Sequence, residues 1–91
     1  MIAAEPASHG WYAALATITE IMPVRKYEEV EPKIKMASCC ICFEEFQSWS
    51  DIRVTLCVHV FHNHCLVEWI KVRHRNRQHI DCPYCRETIH Y

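Results

Sequence analysis

Residues 39–85 read CCICFEEFQSWSDIRVTLCVHVFHNHCLVEWIKVRHRNRQHIDCPYC. Within them, eight residues of metal-ligating type stand in one ordered series. Cys39 and Cys42 form a first Cys-x2-Cys pair. After an interval come Cys57, His59, His62 and Cys65, and a second Cys-x2-Cys pair, Cys82 and Cys85, closes the series. Structural zinc takes four sulfur or imidazole donors in a tetrahedron, so eight ligands suffice for two closed sites. A Cys-x2-Cys pair presents two sulfurs to one metal from a tight turn, which assigns one zinc to each outer pair. The middle block must complete both tetrahedra, and spacing alone leaves open which middle pair joins which outer pair.

Two positions have competitors. Cys40 adjoins Cys39, but only Cys39 has two residues between itself and Cys42, so Cys39 is the expected ligand and Cys40 a spare thiol. His64 competes with His62. Neighbouring side chains on a helix point about 100° apart, which leaves His64 turned away from a site that uses Cys65. His9, His74, His79 and His90 have no ligand spacing and read as ordinary polar residues.

The rest of the composition agrees with a metal-stapled domain. The chain has 91 residues and seven cysteines. A domain of this size buries a modest share of its apolar surface, so metal or disulfide cross-links are expected. An odd cysteine count with interleaved histidines favours metal over a disulfide framework. The N-terminal residues MIAAEPASHG lack a basic start, no apolar run is long enough to span a bilayer, and an intracellular, reducing compartment, cytoplasmic or nuclear, is expected. The net charge is −1, which gives no global bias toward nucleic acid or a membrane surface.

Residues 1–37 hold no ligand series and read as an N-terminal extension. Ser8 is placed to cap a helix from His9 to about Met22, with Pro23 ending it, and Trp11, Leu15, Ile18 and Met22 share one face. Residues 23–37, charged and with two prolines, read as a linker. Residues 38–91 read as the metal-binding domain. In it Arg53–Thr55 and Val60–Phe61 are short strand candidates flanking the Cys57/His59 knuckle. Asn63 is a candidate N-cap for a helix from His64 to about Val72, with Leu66, Trp69 and Ile70 inward. The only glycine is Gly10, outside a region that needs several tight turns.

The stretch 38–89 resembles a RING finger, in the variant with histidine at ligand positions four and five. The likeness extends past the ligands to Ile41 inside the first pair, Phe46, Phe61, the Leu66…Trp69 helix, Pro83 within the last pair and Arg86 after it. The resemblance implies a small zinc-stabilised α+β cross-brace with two zinc sites, a short β-hairpin and one central helix, to which the N-terminal helix candidate is added. In that brace Cys39, Cys42, His62 and Cys65 hold one zinc ion, and Cys57, His59, Cys82 and Cys85 hold the other.

The resemblance also implies an activity. RING fingers are ubiquitin ligases that bind a ubiquitin-conjugating enzyme charged with ubiquitin and promote transfer to a lysine of a protein substrate, with no covalent intermediate of their own. Ile41, Trp69 and Pro83 then form an apolar groove for the conjugating enzyme. Arg86 matches the linchpin position, where a planar guanidinium donates to both conjugating enzyme and ubiquitin. Its contribution is positional. The alternatives are a RING-like interaction module without productive transfer and a nucleic-acid-binding zinc protein. For the latter only the alternating Lys71, Arg73, Arg75, Arg77 and His79 speak, a basic ridge if that segment is extended.

Overall fold

The computed structural model describes residues 10–91, and the expected Ser8 cap and His9 start lie outside them. The first helix, α1, runs Trp11–Ile21 from an N-cap at Gly10. It ends at Met22, whose N–H donates to the Ile18 carbonyl at 2.7 Å, immediately before Pro23. Of its expected face, Ile18 and Met22 are buried, together with Ala14, while Trp11 and Leu15 are half-buried.

The segment expected as a charged linker is structured. Arg25–Lys26 forms strand β1, and Tyr27–Val30 forms a single helical turn, α2. Burial is the reason, since Tyr27 and Val30 enter the core of the domain and Ile34 and Met36 pack against it. The Tyr27 hydroxyl donates to the Met36 carbonyl at 2.7 Å, and its N–H donates to Ser50.

Strand β2 (Asp51–Val54) pairs antiparallel with β1 on one side and with β3 (Val60–His62) on the other, giving sheet order β1-β2-β3. The register sets Arg25 against Ile52, Arg53 against Phe61, and Val54 against Val60. The expected hairpin is therefore present, and the N-terminal segment adds a third strand to it.

Helix α3 spans Asn63–Arg75. Its N-cap is His62 rather than Asn63, because the Asn63 side chain is engaged elsewhere: its Oδ1 accepts from Arg53 Nε at 2.8 Å. The helix also outruns its expected end at Val72. Arg77 takes the left-handed conformation (φ 58°), its N–H donates to His74 O, and the Gln78 N–H donates to Arg73 O. That is a Schellman closure built without glycine. With Lys71, Arg73 and Arg75 on a helix, the alternating cations do not form a ridge. Arg73 turns inward to Asp81, and Lys71 Nζ lies over the Trp11 ring.

One core joins these parts. Ile18, Met22, Tyr27 and Val30 from the N-terminal region cluster with Phe46, Ile52, Val60, Phe61, Leu66, Ile70, Ile80 and Ile89. Arg53 secures the junction. It is buried on β2, and its Nη1 donates to the Met22 carbonyl at 2.7 Å and to Thr19 Oγ1 at 3.1 Å. The cation thus sits at the C-terminal end of α1, where exposed carbonyls favour positive charge. Burial pulls Arg53 below the ordinary arginine range. Among the described residues no helix is long and apolar enough to cross a membrane.

Candidate metal centres and the adjoining groove

Two turns carry the outer cysteine pairs, and they are built alike. In the first, Cys39 N–H donates to Glu44 O, Phe43 N–H donates to Cys39 O, and a Ser38–Glu45 bridge closes the base. In the second, Cys82 N–H donates to Glu87 O, Arg86 N–H donates to Cys82 O, and the bridge is Asp81–Thr88. The residue after each pair, Phe43 and Arg86, has φ 66°. A third knuckle, between β2 and β3, turns through Val58 at φ 67°, with its N–H on Thr55 O. Glycine would take these left-handed positions without strain, and the chain has none to offer here.

The fold gathers the eight side chains into two groups. Cys39, Cys42, His62 and Cys65 form one, and Cys57, His59, Cys82 and Cys85 form the other; within each, the potential ligand atoms lie within 4.8 Å of one another. Cys40 and His64 belong to neither group. The pairing that spacing left open is thus interleaved. The cause is topological: His62 and Cys65 lie at the β3–α3 junction facing the first turn, while Cys57 and His59 lie on the knuckle facing the second.

The interatomic spacings suit a tetrahedral zinc ion. Zinc–sulfur bonds of about 2.3 Å and zinc–nitrogen bonds of about 2.0 Å at tetrahedral angles set sulfurs about 3.8 Å apart and sulfur–nitrogen pairs about 3.5 Å apart. Cys42 Sγ stands 3.4 Å from His62 Nδ1, and His59 Nδ1 stands 3.4 Å from Cys57 Sγ and 3.5 Å from Cys82 Sγ. Cys85 Sγ is 3.4 Å from Cys57 Sγ. Both histidines turn Nδ1 toward the sulfurs.

Burial pushes the Cys57 and Cys65 thiols up to about 12, so a metal ion bound at either place would have to displace a thiol proton. Burial first, and then the His64 charge, lower His62 and keep its imidazole neutral, the form that binds metal. The spare Cys40 is half-buried; burial first and the charge at Cys39 second raise its thiol.

Aromatic packing fixes the two imidazoles. The His62 ring lies 4.7 Å from Phe46, and Phe46 stacks on Tyr27 at 4.8 Å. The N-terminal segment therefore supports the first group through two rings. The His59 ring lies 4.4 Å from that of Tyr84.

Beside the first group opens a shallow groove of about 440 Å³, lined by Ile41, Cys42, His64, Cys65, Glu68, Trp69 and Val72. Of the three residues expected to form an apolar groove, Ile41 and Trp69 line it; Pro83 is half-buried on the second turn and is not among the lining residues. Val72 and Glu68 were not expected, although both lie on the helix face that carries Trp69. The Trp69 indole is held by its Nε1–H, which donates to the Asp81 carbonyl at 2.8 Å. The guanidinium of Arg86 lies over the same ring, 5.3 Å from its centre.

Sequence reasoning passed over Arg53, Tyr27 and Asp81. A charge between the apolar Ile52 and Val54 was a legible signal for Arg53, and an aromatic in a charged stretch was one for Tyr27. Asp81 carried no signal beyond adjacency to Cys82.

The comparisons with known proteins agree with this geometry. A family model described as "Ring finger domain" matches residues 37–86. Over 82 residues, 90% of this chain, the sequence is 32% identical to an Arabidopsis thaliana protein named E3 ubiquitin-protein ligase RING1-like. Over 62 residues, 68% of the chain, it is 34% identical to a Drosophila melanogaster protein named E3 ubiquitin-protein ligase Iruka. These alignments span 23% and 14% of the two relatives, so the chain corresponds to less than a quarter of either. Among solved structures, the RING-H2 domain of Arabidopsis RMR1 superposes with a TM-score of 0.62, covering 84% of this chain and 95% of that one at 23% identity, which supports the fold. With the family model matching more than half of its length, and with eight side chains of metal-ligating type in two interleaved groups, this chain belongs to the Ring finger domain family.

Proposed function

We propose that this chain is the ligase module of a RING-type ubiquitin ligase: it binds a ubiquitin-conjugating enzyme charged with ubiquitin and promotes transfer to a lysine of a protein substrate. The observation that carries the reading is the apolar groove between Ile41 and Trp69, with Arg86 over the same indole. Related chains named as E3 ubiquitin-protein ligases support it.

In this reading Cys39, Cys42, His62 and Cys65 hold one zinc ion and Cys57, His59, Cys82 and Cys85 hold the second. Zinc, when bound, supplies cross-links and no step of the transfer. The work falls to the protein surface. Ile41, on a rigid turn between two ligands, and Trp69 present apolar anchors of the kind that dominate interface energetics. Pro83 contributes from the second turn, outside the groove lining. Arg86 donates from its planar fork to carbonyls of both the conjugating enzyme and ubiquitin, which restrains the thioester in one orientation for attack. The thiolate ligands suit a reducing compartment, the cytoplasm or nucleus.

Single-turnover discharge of a charged conjugating enzyme onto free lysine tests the reading, beside binding of the uncharged enzyme. Ile41→Ala should weaken binding about tenfold or more, as loss of an interface anchor does. Arg86→Ala should lower discharge at saturating ligase while changing that affinity less. A parental chain that binds the conjugating enzyme but does not accelerate discharge would leave a recruiting module in place of a ligase.

A further inference from the structure

Asp81 directly precedes the ligand-type residue Cys82, and packing has enclosed it: its side chain is 10% exposed. Its Oδ2 accepts from Arg73 Nη2 at 3.0 Å, and Arg86 Nη1 stands 4.0 Å from the same oxygen. Its Oδ1 is buried without a hydrogen-bond partner among the described residues. Its carbonyl accepts from Trp69 Nε1. Both guanidiniums lie over the Trp69 ring, Arg73 at 5.2 Å and Arg86 at 5.3 Å from its centre. One buried residue therefore reaches the indole through its backbone and two cations through its carboxylate.

The two cations are held differently. Arg73 has a side chain 16% exposed and commits two of its donors, Nη2 to Asp81 and Nε to the His79 carbonyl at 3.0 Å. Arg86 has a side chain 62% exposed, and at 4.0 Å its Nη1 is beyond hydrogen-bond range of Oδ2. Charge and the ring face hold it while that donor stays free. Its backbone is already fixed, because the left-handed φ of 66° and the N–H bond to Cys82 set the direction in which the side chain leaves. What remains is rotamer freedom, which is among the largest of any side chain and is lost whenever an arginine engages a partner.

We propose that Asp81 is the positioning residue for Arg86: its buried carboxylate holds the guanidinium over Trp69 before the conjugating enzyme arrives, with donors left free for carbonyls on the partner. This rests on the role of Arg86 given above. Arg73 serves it by fixing the carboxylate, and Arg86 faces the same Oδ2 at 4.0 Å, close enough for the charge to act without a hydrogen bond.

Asp81→Asn removes the charge and keeps the backbone carbonyl that holds Trp69. The test is a double-mutant cycle of Asp81→Asn with Arg86→Ala in the zinc-loaded chain. Asp81→Asn alone should lower discharge at saturating ligase about threefold to fivefold, the scale of a partly exposed charge pair. Affinity for the uncharged conjugating enzyme should change by less than about twofold on the same reasoning. In the Arg86→Ala background, Asp81→Asn should have no further effect. A second readout needs no ligation: nuclear magnetic resonance of the parental chain should show Arg86 side-chain protons shifted upfield by the Trp69 ring, and the shift should shrink in Asp81→Asn.

Parental discharge by Asp81→Asn overturns the proposal, as does an equal loss with Arg86 already removed, which would make Asp81 structural. An unchanged Arg86 ring shift in the folded Asp81→Asn variant overturns it as well. If Arg86→Ala itself discharges at the parental rate, the reading of Arg86 fails first, and the ring shift then reports only a local contact.

Discussion

Replacing Arg53 by methionine should unfasten α1 from the rest of the domain and cost about 3 kcal/mol of stability. The magnitude follows from what the guanidinium holds. It is 4% exposed and donates to Met22 O at 2.7 Å, Thr19 Oγ1 at 3.1 Å and Asn63 Oδ1 at 2.8 Å. Hydrogen bonds from a charged group contribute about 1.5–3 kcal/mol each and do not add fully, and the Met22 carbonyl would lose its donor in a buried site. Methionine fills most of the arginine stem's volume, which keeps the cavity contribution small. For a domain of this length each kcal/mol moves the midpoint by about 4–8 °C, so melting with zinc in excess should fall by more than about 10 °C. Amide exchange should accelerate more in residues 14–22 than in 52–62. Arg53→Lys keeps a charge but cannot reach all three acceptors, and should lie between parent and methionine. An Arg53→Met variant within about 1 kcal/mol of the parent would refute the reasoning, since a single hydrogen bond of this kind already exceeds that. It would mean that apolar contacts of Ile18 and Met22 alone seat α1.

Three further outcomes are expected. The purified chain should contain two zinc ions per molecule by elemental analysis, and chelation should abolish native circular dichroism, because zinc contributes about 10–16 kcal/mol in small finger peptides against a usual net stability of about 5–15 kcal/mol; one ion per chain, or native spectra after full chelation, would refute it. Cys39→Ser should lose zinc and unfold while Cys40→Ser keeps both ions and melts near the parent, and the reverse result would shift the ligand register. Val58→Gly should raise stability by about 1 kcal/mol in chemical denaturation, since a β-branched residue at φ 67° is strained and Val58 is 54% exposed, with little burial to lose; a destabilised variant would mean that the knuckle depends on the valine side chain.

Much of this protein is legible in its sequence. The ligand series names the eight residues because metal coordination constrains residue type and local spacing, and both are one-dimensional. The turn pairs, the β2–β3 hairpin and the apolar face of α3 are local for the same reason: each is set by periodicity or by a few neighbouring residues. The choice of Cys39 over Cys40 needed only the length of a turn.

What the sequence left open depends on contacts between residues far apart in the chain. The interleaving of the two ligand groups follows from where β3 and α3 stand relative to the two turns, which spacing does not encode. Residues 23–37 look like a linker because charge dominates their composition, yet Tyr27 and Val30 enter the core, with Ile34 and Met36 packed against it, once Phe46 and the edge of β2 are available. Asn63 reads as a cap until Arg53, ten residues earlier on a neighbouring strand, claims its oxygen. Asp81 has no pattern of its own. Its place between Arg73, Arg86 and Trp69 exists only after the helix and the second turn have packed, because a buried charge acquires its meaning from the partners that tertiary structure brings to it.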